Sequence, residues 1–117
     1  MVSHRLIGFC AGIAGAVGIA TLAVGAHAVT GANLDVAGNV LLFHAAALLA
    51  LGSAEGRRWR GFSAFLFVVG CLLFSGDLIF KAATARSLFP LAAPSGGVAL
   101  ILGWLSVAVG SLLPRRS

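Results

Sequence analysis

Charge is scarce in this chain. Of 117 residues only 9% are charged, eight Lys or Arg against three acids. A soluble globular chain is about 25% charged and about 45–50% apolar. Here 60% of residues are hydrophobic, and the mean hydropathy is +1.07. A small soluble domain could not hide so much apolar surface, because small folds leave much of their surface exposed. Lipid is the expected solvent. Cysteine is also scarce: Cys10 and Cys71 both sit inside apolar runs. That excludes a disulfide framework and a cysteine metal site. They read as small buried side chains. Also missing are a Ser/His/Asp or Cys/His arrangement at legible spacing, a zinc motif and a phosphate loop, so an enzyme is not expected.

The net charge of +5 could suggest nucleic acid. The positions argue otherwise, because the basic residues lie at the ends of apolar runs. That is the pattern of membrane topology signals, and no nucleic-acid partner is expected.

Four apolar runs fill the chain: about 6–29, 36–54, 62–83 and 94–113. As helices each is roughly 30 Å long, enough to cross a bilayer. Membrane strands are only about 9–11 residues and alternate in polarity, which these runs do not. The expected fold is all-α: one transmembrane domain over residues 1–117, a four-helix bundle. Ala26-His27-Ala28 resembles a signal-peptide cleavage site after the charged Arg5. The first run is longer than a signal core and three more follow, so a retained helix is expected.

Four spans put the N-terminus, the middle loop and the C-terminus on one side. That side holds Arg5, Arg57, Arg58, Arg60, Arg115 and Arg116; the other holds Lys81 and Arg86. The imbalance places the first side, with both termini, in the cytoplasm. Arg57, Arg58 and Arg60 are then topology anchors, with Trp59 at the same interface. Arg5-Leu-Ile-Gly8-Phe9 and Arg60-Gly61-Phe62 open the first and third runs alike, a hint of a duplicated two-helix unit.

Small residues mark helix contacts. Gly8 and Gly12 form a G-x-x-x-G pair, and Gly103, Ser106 and Gly110 form a stripe on the fourth run. Such residues let backbones approach closely in lipid. Pro94-Ser95-Gly96-Gly97 suits a helix start, with glycines for close approach. A broken helix at an anion site is the functional alternative.

Ionisable groups inside a membrane cost about 2.5–3.5 kcal/mol at a helix centre, so each needs a reason. His44 and Asp77 lie at depths of roughly 12 and 9 Å from the same, periplasmic end, counted at 1.5 Å per residue. His27 and Lys81 fall at that end too. The four form a candidate polar cluster able to relay protons or bind a small ligand. A structural role competes: Asp77 and Lys81 can pair at i, i+4, and His44 can bond a neighbouring helix. Trp104, near the middle of its run, needs an acceptor for its indole N–H, with Asp77 or His44 as candidates. His27 and His44 have no metal-site spacing, and no metal, haem or other cofactor is expected.

Gly25-Ala26-His27-Ala28, Phe43-His44, Leu73-Phe74-Ser75-Gly76, Ala93-Pro94-Ser95-Gly96-Gly97 and Leu102-Gly103-Trp104 occur in that order. As an ordered set they resemble the DUF423 family of small membrane proteins, related to the eukaryotic transmembrane protein 256. The resemblance implies a four-helix inner-membrane protein with no assigned activity, and it transfers no catalytic residue. The function expected is that of a small bacterial inner-membrane protein, a structural or accessory subunit or a homo-oligomer, partnered by the bilayer and by a second copy or a larger complex. The alternative is a small-molecule, ion or proton transporter or channel using the His/Asp cluster.

Overall fold

The computed structural model describes residues 3–27, 33–53 and 57–114. They form four helices: α1 (His4–His27), α2 (Leu34–Ser53), α3 (Arg58–Thr84) and α4 (Ala92–Ser111). All four are long and apolar enough to cross a bilayer, and no strand occurs among the described residues. Hydrocarbon offers no partner to a free N–H or C=O, and a helix satisfies its own backbone within one segment.

The helix ends differ from the hydropathy limits for local reasons. At the N-terminus α1 begins at His4, because the Ser3 hydroxyl accepts the Leu6 N–H at 3.2 Å and caps the first turn. The expected ends at 29 and 54 lie outside the described residues. α3 starts at Arg58, four residues earlier than the apolar run. Its first turn packs the Trp59 ring on Gly110 of α4, and the Arg60 guanidinium lies 4.9 Å from the centre of that ring. Long polar side chains can reach toward water while their helix continues. α4 starts at Ala92, so Pro94 is its third residue. Its missing N–H still falls among the groups the helical ladder leaves free. At its far end α4 closes at Ser111, where the Leu112 and Leu113 N–H groups turn back to Val109 and Gly110.

α1 packs along α2, and α3 along α4. α2 joins these two hairpins through α3, α1 barely reaches α3, and α1 and α4 do not meet. The bundle is therefore open on one side. Each hairpin crosses at a glycine pair. A Cβ at Gly18 would lie 3.1 Å from the Gly38 carbonyl oxygen, and one at Gly38 would lie 3.0 Å from that of Gly18. In the second hairpin the same holds for Gly70 and Gly96, at 3.0 and 2.7 Å. Gly38 and Gly96 are each the fifth residue of their helix, so the hairpins share one packing device. Lipid tails are as apolar as leucine, so association rests on close packing and interhelical hydrogen bonds rather than on escape from water. The core is Ile7, Ala11, Leu41, Leu48, Leu51, Ala64, Phe67, Cys71 and Leu100.

One interhelical bond fixes the relative heights of α2 and α3. The Ser75 hydroxyl donates to the Ala37 carbonyl at 2.9 Å. Ala37 is three residues into α2, whereas α3 continues nine residues past Ser75. At 1.5 Å per residue α3 therefore overshoots the start of α2 by about 9 Å.

Candidate functional site

The polar centre of the bundle is a contact between three helices. His44 sits ten residues into α2, about 15 Å from its start, and is 7% exposed. Its Nε2 accepts the indole N–H of Trp104 from α4 at 3.0 Å. Its Nδ1 donates to the Val40 carbonyl at 2.7 Å, one turn back on its own helix. These partners select the tautomer: an indole N–H can only donate and a carbonyl can only accept. Nε2 is therefore bare and Nδ1 carries the hydrogen. Either a hydrogen on Nε2 or loss of the one on Nδ1 would break a bond.

Phe67 of α3 completes the site. It is fully buried, with its ring edge-on to His44 at 5.0 Å between centroids and tilted against Trp104 at 4.8 Å. Such aromatic pairs add about 0.5–1.5 kcal/mol beyond the area they bury. Gly103 makes room for them. A Cβ there would lie 2.6 Å from the Phe67 ring. One turn on, the stripe continues: the Ser106 hydroxyl donates to the Gly103 carbonyl at 2.6 Å, so its oxygen receives the Ser63 hydroxyl of α3, also at 2.6 Å. Gly110 ends the stripe beneath Trp59.

Asp77 and Lys81 behave differently from each other. Asp77 is 2% exposed and its Oδ1 accepts the Leu88 N–H at 2.7 Å. That bond holds the loop of residues 85–91, in which Ala85 and Leu91 adopt left-handed φ of 61° and 67°. Such a conformation costs a non-glycine residue about 1–2 kcal/mol, and the Asp77 bond helps to keep the loop in place. Lys81 is exposed, and among the described residues no ion pair joins it to Asp77.

Asp77 does not meet His44 either. Because α3 overshoots α2, depth counted from helix ends misplaces the two. Ser75 stands level with Ala37, so Asp77 stands near the start of α2, well outward of His44. His27 is exposed at the end of α1. Among the described residues, no hydrogen bond joins any two of His27, His44, Asp77 and Lys81, and no three His, Cys, Asp or Glu side chains gather as metal ligands. Among the described residues, a Cβ added at Gly8 or Gly12 would meet no neighbouring atom within 4 Å, so neither glycine serves a contact inside the bundle. Arg57 reaches the Leu113 carbonyl at 3.4 Å, which ties the start of α3 to the end of α4, while Arg58 is exposed. Sequence reasoning passed over Ser63 and the interhelical bond of Ser75; the available signal was a small hydroxyl inside an apolar run.

The comparisons with known proteins agree with this architecture. Residues 14–97 match the family described as "Protein of unknown function (DUF423)". A UPF0382 membrane protein of Staphylococcus epidermidis is 31% identical over 106 residues, covering 80% of this chain and 84% of that protein. A UPF0382 membrane protein of Haemophilus influenzae is 35% identical over 72 residues, covering 60% of this chain and 58% of its own length. No solved structure matches the chain. Four apolar membrane-length helices and a profile match over most of the sequence lead to one assignment: the chain is an integral membrane protein and belongs to the DUF423 family.

Proposed function

We propose that the protein is a structural or accessory subunit of the bacterial inner membrane, acting through the outer faces of its helices in a homo-oligomer or a larger membrane complex. One observation carries this reading. Along the middle of the bundle the polar side chains are engaged with one another or with backbone: His44 with Trp104 and Val40, Ser63 with Ser106, Ser75 with Ala37, and Thr21 with Val17; the buried Trp59 Nε1 and Arg60 Nε, at the start of α3, have no hydrogen-bond partner among the described residues. A pathway for ions needs polar groups that can exchange partners. Here the His44–Trp104, Ser63–Ser106 and Ser75–Ala37 bonds join helices, and the Thr21–Val17 bond closes on its own helix. In the same chain, the glycines at the helix crossings (Gly18, Gly38, Gly70, Gly96 and Gly103) leave no room for a Cβ, while Gly8 and Gly12 present bare backbone outward.

The arginine distribution supports an orientation with both termini in the cytoplasm. Trp59 and Arg60 at the start of α3 suit the cytoplasmic interface.

Native mass spectrometry after extraction in mild detergent tests the proposal. An oligomer or a co-purifying membrane partner is expected. Gly12→Leu should dissociate it without unfolding the chain, since the added side chain meets nothing internal. A monodisperse monomer without a partner would refute the reading. So would liposome ion flux that depends on His44 and Asp77, which would favour the transport alternative.

A further inference from the structure

Between α1 and α3, with the start of α2 behind, lies a cleft of about 320 Å³. Its walls include Val17, Ala20 and Val24 of α1, Leu34 of α2, and Ile79 and Ala82 of α3. The polar exception, Thr21, donates its hydroxyl to the Val17 carbonyl at 2.7 Å and offers its hydrogen to no ligand. The walls stand apart because small residues face one another across them and α1 barely touches α3.

We infer that this cleft is a binding site for one acyl chain of a bilayer phospholipid. Three observations fix the class of occupant. The cleft runs along α1 and α3, two helices long and apolar enough to cross a bilayer, toward the end where α1 finishes. It is partly open rather than sealed, so a chain can enter from the side. Water needs two to four polar partners, which these walls lack. An apolar groove left unfilled forfeits dispersion contacts along its walls. A flexible hydrocarbon chain restores them. The site is independent of whether the protein is an accessory subunit.

The test is native mass spectrometry of the protein released from membranes, with phosphatidylethanolamine added back as probe. The wild-type chain should retain one phospholipid at detergent levels that strip the rest. Ala82→Trp and Ala20→Phe fill the cleft from opposite walls, and each should reduce that bound fraction by about tenfold or more. Val98→Trp, on the outward face of α4, should leave it unchanged. Should a filled variant misfold, a phospholipid with a photoreactive acyl chain gives the answer on the wild-type protein. Adducts concentrated on α1 residues 17–24 and α3 residues 79–83 support the site. Equal lipid retention in the filled variants, adducts spread over the outer face of α4, or a retained mass matching a free fatty acid or isoprenoid would overturn the phospholipid assignment.

Discussion

Replacing Gly96 by alanine should separate α3 from α4. A Cβ at this position would meet the Phe74 backbone nitrogen, the Gly70 carbonyl oxygen at 2.7 Å and the Leu73 Cβ at 2.8 Å. Ordinary contact begins near 3.4 Å, so the carbonyl alone is 0.7 Å too close. Two of the three obstacles are backbone atoms, which no rotamer change can move. The helices must part along a crossing that also positions Leu100 against Gly70. Overpacking of this kind costs about 1–3 kcal/mol. Gly76→Ala and Gly97→Ala are the internal controls. A Cβ at Gly76 meets nothing within 4 Å, and one at Gly97 meets only the Phe74 ring at 3.9 Å. Both should be neutral or stabilising, since glycine inside a helix is about 0.5–1 kcal/mol worse than alanine. Equilibrium unfolding in mixed dodecyl maltoside and dodecyl sulfate micelles, followed by circular dichroism, gives all three values. A Gly96→Ala protein as stable as Gly76→Ala would refute the crossing.

Three further outcomes follow from the central contacts. Trp104→Phe should cost about 0.6–1.7 kcal/mol, the range for interhelical hydrogen bonds in membranes; in a double-mutant cycle with His44→Leu most of that should be shared, and additive losses would separate the pair. Gly103→Ala should push the Phe67 ring aside, cost about 1–3 kcal/mol and shift the Trp104 emission; an unchanged spectrum and stability would show that the rings do not meet. Asp77→Ala should free the Leu88 N–H, and faster amide exchange there with faster proteolysis in residues 85–91 would report it. Exchange at the wild-type rate would mean the carboxylate does not hold the loop.

The four spans were legible because lipid leaves a long apolar run almost no option but a helix. Their ends were less so. Hydropathy drops at Arg58, Trp59 and Arg60, yet the helix continues because Trp59 has a seat on Gly110 that only the folded hairpin provides. Trp104 in mid-span signalled the need for an acceptor, and both candidates were named. Choosing His44 over Asp77 required the relative heights of α2 and α3, set by Ser75 on Ala37, a contact between residues 38 positions apart. The i, i+4 spacing of Asp77 and Lys81 pointed to a pair. Spacing places two side chains on one face but does not exclude a closer donor, here the backbone of Leu88. The hairpin crossings were half visible: Gly96 stood in a motif suited to close approach, while Gly70 had nothing local to distinguish it.

The most direct measurement is the side-chain nitrogen-15 NMR spectrum of His44 in lipid nanodiscs. If the polar groups inside the bundle serve to join helices, Nδ1 bears the hydrogen and Nε2 resonates as an acceptor, correlated with the Trp104 indole proton. A hydrogen on Nε2, or an imidazole that exchanges freely with water and shows no coupling to Trp104, would contradict that role.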